Sequence, residues 1–320
     1  DTGYASCNGG ILLKTSNGGE NWNILPGPYS GNLAGVLFFD QNTGLVFGNP
    51  IFKTTNAGLS WTQVANLSGT LHHCKSADNN TVYGCQPFML SKSTDKGSTW
   101  STTSGTPAWI TTSADFINGL TGWVTTVQPQ GFPTPTTQTV IISKTTNGGA
   151  NWFSQFSESA AINANTLVDT DFPTIDTGYV IGKTGNSIHR TLNAGTNWTE
   201  VPLGNAGFKD IFFLNSKTGW AVSDSVIFKT ISAGLVWTHT NAPVNSGMSI
   251  LFFWDSMTGW IGGSNGLILK TTNGGVTAIT NVSSTIPNNF LLSQNYPNPF
   301  NPQTKIKFDV PANVRGQTSN

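Results

Sequence analysis

Charge is scarce in this chain: of 320 residues only 9% are Asp, Glu, Lys or Arg, with 15 basic against 15 acidic. So neutral a composition lacks the electrostatic footprint that nucleic acid or an anionic membrane requires, and neither is expected as a partner. Long apolar runs are missing too, and none approaches the roughly 20 residues of a membrane-spanning helix. Arginine occurs only at Arg190 and Arg315, and cysteine only at Cys7, Cys74 and Cys85. Neither a Gly-rich phosphate loop, a Cys-x-x-Cys pair nor a Ser/His/Asp set is present, so no cofactor is expected.

What the chain does have is turn-forming residues in a rhythm. Glycine accounts for 36 positions, and one short phrase, Lys/Arg-Thr-x-Asn-x-Gly-x-x-Trp or a near variant, returns seven times. Its copies begin at Lys14, Lys53, Lys92, Lys144, Arg190, Lys229 and Lys270, separated by 39, 39, 52, 46, 39 and 41 residues. They carry Asn17 with Trp22, Asn56 with Trp61, Asp95 with Trp100, Asn147 with Trp152 and Asn193 with Trp198. The sixth has Ser232 with Trp237, and the seventh has Asn273 but ends in Ala278 where the Trp should stand. A period of about 40 residues fits one four-stranded propeller blade per repeat.

The unit is clearest from Asp210 to Thr240. Ile211-Phe212-Phe213-Leu214 is an apolar run, Asn215 to Gly219 a turn, and Trp220-Ala221-Val222 a second run. Val226 to Thr230 and Trp237 to Thr240 supply two more. Short β-branched and aromatic runs between Gly, Asn and Ser turns read as an antiparallel meander. Naming the strands A to D from the axis outward places the phrase over the end of strand C, the C–D turn and the start of D. In that turn Gly supplies a positive φ, Asn or Asp bonds its own backbone two residues on, and Ser/Thr hydroxyls do likewise. The Trp is expected to pack over the turn, between neighbouring blades. The predicted fold is all-β: a seven-bladed β-propeller of four-stranded antiparallel blades over residues 1–282.

The phrase resembles the Asp-box, or bacterial neuraminidase repeat, Ser/Thr-x-Asp-x-Gly-x-x-Trp, with Asn mostly in place of Asp. With the preceding Asp-x-x-Thr-Gly-Trp/Tyr turn, as in Asp255 to Trp260 and the shorter Asp176-Thr177-Gly178-Tyr179, the unit resembles the photosystem II stability/assembly-factor family of propellers. Photosynthetic function does not follow from that resemblance, since function lives in sites and not in folds.

Asp1-Thr2-Gly3-Tyr4 aligns with Asp176-Thr177-Gly178-Tyr179, so the first blade is expected to open at its A–B turn, without its innermost strand, on a shortened N-terminus. Cys74 and Cys85 lie symmetrically about the turn from Asp78 to Thr81, where an A–B hairpin sets them opposite each other at bridging distance. Cys7 sits seven residues before Lys14, as Cys85 does before Lys92. A Cys74–Cys85 disulfide is expected, and with it an oxidising compartment. Three buried free thiols are the other reading, because cysteine is among the residues most often buried.

After Thr280 the rhythm stops. Residues 283–288 read as a linker, and a different pattern then runs Asn289-Phe290-Leu291-Leu292-Ser293-Gln294-Asn295-Tyr296-Pro297-Asn298-Pro299-Phe300-Asn301-Pro302 and on to Pro311. Composition alone gives a semi-rigid Pro-rich segment followed by an alternating strand. The run resembles the start of the C-terminal sorting domain of type IX secretion substrates, with Val310 where that family usually has Leu. The resemblance implies a partial small β-sandwich over residues 289–320, the type IX secretion machinery as a partner, and a secreted or outer-cell-surface location. The domain is expected to stop short at Asn320.

Catalytic sets are thin. Sialidases that share the Asp-box hold a substrate carboxylate with three arginines, more than this chain has. Xyloglucanase-type glycosidases use paired aspartates between two such propellers; one propeller is expected here, although two carboxylates across a sugar would suffice for hydrolysis. Asp1, Asp40, Asp176 and Asp255 fall at A–B turns and Asp95 in a repeated turn, which gives them structural roles. Asp169, Asp171 and Asp176 form a loose oxygen set for a hard cation but lack a defined loop motif. His72-His73 falls on a strand, where alternation sends the two rings to opposite faces. No catalytic residue and no metal site are expected.

In a four-stranded blade the D–A and B–C connections share one face, opposite the repeated turns. Blade four is expected to carry two insertions there, Gln128 to Gln138 in the B–C loop and Phe153 to Asn165 after strand D. Trp109, Phe132, Phe153 and Phe156 are the ligand-site candidates, an aromatic platform on loops of a rigid scaffold. Their other role is to pin the loops, as buried aromatics usually do. The expected function is a non-catalytic binding or scaffold module for an unknown protein or glycan. The alternative is an extracellular glycoside hydrolase or a glycan-binding accessory to one.

Overall fold

The computed structural model describes residues 1–65, 67, 71–86, 88–103, 110–131, 135–161, 167–182, 187–204, 207–243, 247–275, 279–281, 291–292 and 308–309. Residues Asp1–Val282 form one compact unit and Ser283–Asn320 another.

The first unit is a seven-bladed propeller. Blade one has three strands, β1 (Gly3–Cys7), β2 (Ile11–Thr15) and β3 (Asn23–Leu25). Blade two has β4 (Gly35–Phe38), β5 (Gly44–Phe47), β6 (Ile51–Thr54) and β7 (Thr62–Ala65). Blade three has β8 (His72–Ser76), β9 (Val82–Gln86), β10 (Met89–Ser93) and β11 (Ser101–Thr103). Blade four follows with β12 (Ile110–Phe116), β13 (Gly122–Gln130), β14 (Thr137–Thr145) and β15 (Phe153–Ala161). Blade five has β16 (Leu167–Asp171), β17 (Gly178–Gly182), β18 (Ser187–Thr191) and β19 (Thr199–Pro202). Blade six has β20 (Asp210–Phe213), β21 (Gly219–Val222), β22 (Val226–Thr230) and β23 (Thr238–Asn241). Blade seven closes with β24 (Met248–Phe253), β25 (Gly259–Gly263), β26 (Ile268–Thr271) and β27 (Ile279–Asn281). Every blade is an antiparallel meander in sequence order, and among the described residues blade one has three strands, as expected.

Burial follows from radial stacking. Strands β5, β9, β17 and β21 are buried at every residue because each is pressed between two neighbouring blades, whereas the outer strands β7, β19 and β23 are largely exposed. An aromatic on strand B stacks face to face on the Phe that ends, or directly follows, strand A of the next blade. The pairs are Tyr4 on Phe38 (3.8 Å between ring centres), Tyr83 on Phe116 (3.5 Å), Trp123 on Phe172 (3.7 Å), Tyr179 on Phe213 (3.5 Å) and Trp220 on Phe253 (3.7 Å). Each contributes about 1 kcal/mol beyond the area it buries.

The basic residue of the phrase crosses the same seams. Lys14 donates to the Ala57 carbonyl at 2.9 Å, Lys92 to Gly119 at 3.2 Å, Lys144 to Ala194 at 3.3 Å and Arg190 to Ala233 at 3.0 Å, each in the next blade. Lys92, Lys144 and Lys229 also lie 5.1, 5.0 and 5.3 Å above the rings of Tyr83, Trp123 and Trp220. The last of the series, Lys270, pairs with Glu20 of blade one and closes the ring.

Two expectations change in the strands themselves. The blade-four insertions are largely sheet: β13, β14 and β15 each run nine residues, and Gln128, Pro129, Gln130, Thr137 and Gln138 all sit in the ladder. Phe153 to Ala161 is strand D itself, not a loop beyond it. The Cys74–Cys85 disulfide is not present, and both thiols are free, as is Cys7. A bulge between His72 and Cys74 shifts the register so that Cys85 faces His72 and Cys74 faces Gly84. One residue of slip sends side chains to opposite faces of a sheet, and Cys85 packs with Tyr83 and Leu90 while Cys74 packs against the separate cluster around Leu45 and Leu71.

In the second unit, β28 (Leu291–Leu292) pairs antiparallel with β29 (Phe308–Asp309). The rest of the sorting-domain run lies outside the described residues. No helix among the described residues is long and apolar enough to cross a membrane.

Candidate functional site

The repeated turns consume their own polar atoms. In the first, Thr15 Oγ1 donates to Asn17 Oδ1 at 2.9 Å and accepts from the Gly19 amide at 2.9 Å, while Asn17 Oδ1 accepts from the Asn21 amide at 3.1 Å. The pattern recurs at Thr54, Ser93, Thr145 and Thr191. Burial pushes the Asp95 carboxyl up, but donors from Thr99 and Ser93 outweigh it and bring it down to about 2. Each turn is then stitched to the A–B turn of its blade: the Ala57 amide donates to Asn42 O at 2.9 Å and the Ala194 amide to Asp176 O at 2.9 Å. In the A–B turns, Asp40 and Asp255 each accept two backbone amides through Oδ1. The repeated phrase is therefore structural, and Trp61, Trp152, Trp198 and Trp237 lie edge-on to Phe38, Phe116, Phe172 and Phe213 of their own blades.

The aromatic candidates do not assemble as one surface in the described part of the chain. Phe153 is 59% exposed and pairs with Lys144 at the end of the blade that carries the repeated turn. Phe156 is half-buried, packed with Val127, Val140 and Ile142, its ring 5.0 Å from that of His189. Trp109 and Phe132 lie outside the described residues. The side chains of His72 and His73 are likewise outside them.

The innermost strands hold a set of which the sequence offered only Asp169 and Asp171, grouped there with Asp176; Asp115, Asp210 and Lys75 were missed. Asp115, Asp169, Asp171 and Asp210 each accept a backbone amide from the innermost strand of the following blade. Phe172 N donates to Asp115 Oδ2 at 2.6 Å, Ile211 N to Asp169 Oδ2 at 3.2 Å, Phe213 N to Asp171 Oδ2 at 2.6 Å and Leu251 N to Asp210 Oδ2 at 2.6 Å. Those amides sit on strand edges facing the axis, where no further strand follows, so the carboxylates supply the acceptors that buried amides need. Lys75 enters from blade three, with Nζ 3.0 Å from Asp171 Oδ1, 3.0 Å from the Thr170 carbonyl and 3.4 Å from Asp115 Oδ2. Burial alone lowers the Lys75 ammonium, but the Asp115, Asp171 and Asp169 carboxylates more than reverse this and hold it protonated. Burial raises Asp171 to about 6 against the pull of Lys75, and raises Asp210 as well, with the Asp169 carboxylate adding to it. Asp115 and Asp171 thus face the Lys75 ammonium directly, and burial favours the protonated form of Asp171 and Asp210. The signal for the set was an acidic residue directly before a strand-A Phe, in Asp115-Phe116 and Asp171-Phe172. Among the described residues no group of three or more His, Cys, Asp or Glu is arranged to hold a metal ion.

The sequence matches no protein-family model and no curated protein. Solved structures do share its fold. YCF48 bound to D1 peptide aligns over 85% of this chain and 88% of its own, at 19% identity and a TM-score of 0.67. YCF48 from Cyanidioschyzon merolae aligns over 84% of this chain and 91% of its own, at 14% identity and 0.61. The GH74 xyloglucanase from Xanthomonas campestris matches 92% of this chain, at 11% identity and 0.66, but this chain spans only 54% of the enzyme. At these identities the likeness is one of fold.

Proposed function

We propose that the chain is a propeller that binds a protein or peptide and performs no chemistry of its own. The observation that carries the reading is the use made of its carboxylates. Asp115, Asp169, Asp171 and Asp210 hold the backbone of the next blade, and Asp40 and Asp255 are tied into turns. Glycoside hydrolysis needs two carboxyl groups about 5–10 Å apart across an open cleft, and a carboxylate committed to a blade seam is poorly placed for that work. The likeness to YCF48 bound to D1 peptide supports a peptide or protein ligand. The Asp-box character of the turns adds nothing catalytic to it.

The run from Asn289 to Pro311 supports export by the type IX route and a secreted or outer-surface location. Trp109 and Phe132, at positions that precede and interrupt blade four, are the proposed contacts to mutate first. The test is parallel exposure of the protein to peptide and polysaccharide arrays, scoring both retention and sugar released. Retention on peptides without sugar release is expected; release of sugar overturns the reading in favour of the hydrolase. Export is tested separately, by comparing a host with intact type IX machinery and one without it.

A further inference from the structure

The chain has three glutamates. Glu20 pairs with Lys270, whereas Glu158 and Glu200 are exposed and form no ion pair among the described residues. Both converge on one imidazole. His189 on β18 lies directly across the ladder from Glu200 on β19, which puts the two side chains on the same face of blade five. From blade four, the half-buried Phe156 ring stands 5.0 Å from the His189 ring at an interplanar angle of 49°. Glu158 follows two residues later on β15, and side chains two apart share a face of a strand. The four side chains therefore meet across the outer seam between blades four and five.

His189 is 5% exposed, and its ring has no hydrogen-bond partner among the described residues. Burial lowers the imidazole below its ordinary value and outweighs the pull of Glu158 and Glu200. At pH 7 the ring is therefore neutral, and one nitrogen is free to accept a hydrogen bond. A buried polar group left without a partner is costly, so the seam favours a guest that donates to it. Blade four is also lengthened here. Strand β15 runs to Ala161, whereas the outer strands of the other blades have three or four residues. Glu158 stands on the added length, at a position the other outer strands do not reach.

Resting on the reading of the chain as a peptide or protein binder, we propose that the seam between β15 and β18 captures an arginine side chain of the partner polypeptide. The guanidinium lies against the accessible part of the Phe156 ring, donates to Glu158 and Glu200, and reaches the acceptor nitrogen of His189. Two carboxylates, an acceptor nitrogen and an aromatic ring, with no cation among them, call for a cation that both stacks and donates in several directions. The planar guanidinium does both, whereas an ammonium is a point charge. A metal ion fits less well, because no three ligands among the described residues are arranged to hold one.

The experiment titrates the 320-residue chain with N-acetyl-arginine amide and, separately, with N-acetyl-citrulline amide, which keeps the shape and loses the charge. Binding is followed by NMR of the His189 ring, assigned by its loss in His189→Gln. The arginine probe is expected to shift the His189 signals saturably and to bind at least about tenfold more tightly than the citrulline probe. Replacing both carboxylates, Glu158→Gln with Glu200→Gln, changes two exposed positions and is expected to weaken the arginine probe about tenfold. On the peptide array, the same double variant is expected to lose arginine-containing peptides that the wild type retains. Equal binding of the two probes, or unchanged binding by the double variant, would overturn the site; peptides retained equally by both proteins would then leave the peptide-binding reading standing without it. An array that retains no peptide, beside a His189 ring that still responds to arginine over citrulline, would instead sink the peptide reading and uphold the cation site.

Discussion

Lys75 and Asp171 lie 96 residues apart and on non-adjacent blades, yet Nζ and Oδ1 stand 3.0 Å from each other. The lysine reaches past blade four to blade five and meets Asp115 on the way. One side chain thereby ties three blades together at the axis, at the place where the strand edges have run out of partners.

Replacing Lys75 with Met removes the single cation of this set and leaves Asp115 and Asp171 facing each other. Lys75 is 31% exposed, so the cost falls below that of a fully buried pair, at about 1–3 kcal/mol. Thermal denaturation at pH 7 is expected to show a lower Tm for the variant, and the deficit should shrink at pH 5 as Asp171 takes up a proton. A deficit that stays the same at both values would count against the ion pair.

Asp171 also predicts a pH dependence with a definite sign. Its carboxyl titrates at about 6 in the folded protein and at about 3.9 when unfolded, so the folded state binds the proton more tightly. The stability this confers is fully present below about pH 4 and is lost as the pH rises through about 6. Relative to Asp171→Asn, the wild-type protein should therefore gain Tm on acidification from pH 7 to pH 5. Parallel curves for the two proteins over that range would refute the assignment.

The thiols should be silent in the native state. Burial raises the Cys7, Cys74 and Cys85 thiols above their ordinary range, and the thiolate is the reactive form. Intact-mass analysis without reductant is expected to find three free thiols that alkylate only after denaturation. A Cys74–Cys85 bridge in a tryptic map would contradict the bulged register.

In the repeated turn, Thr191→Val keeps the shape of the side chain while deleting the hydroxyl that serves Asn193 and Gly195. The buried Gly195 amide would lose its acceptor, at a cost of about 1–3 kcal/mol. Urea denaturation should show a lower midpoint with an unchanged slope. No shift in the midpoint would mean that the turn is held by its backbone alone.

The repeat, the strands, the turns and the three-stranded first blade were all legible in the residues, because each blade is a local meander whose signals sit within about 40 residues of one another. Gly-Asn-Thr turns and alternating apolar runs specify themselves without help from distant parts of the chain. The disulfide expectation failed on a single bulged residue between His72 and Cys74. Symmetry about a turn fixes which residues are near, but one extra residue decides which face they share. The blade-four insertions were visible as length, and pairing along nine-residue strands turned that length into sheet.

The axial set and the contact between the first and last blades belong to tertiary structure. Lys75 meets Asp171, and Trp260 meets the turn at Gly19, only because seven radial sheets close into a ring that brings distant and terminal blades together. Local sequence determined that this protein is built of propeller blades. Closure of the ring decided which carboxylates share a cation and which side chains of the first and last blades meet.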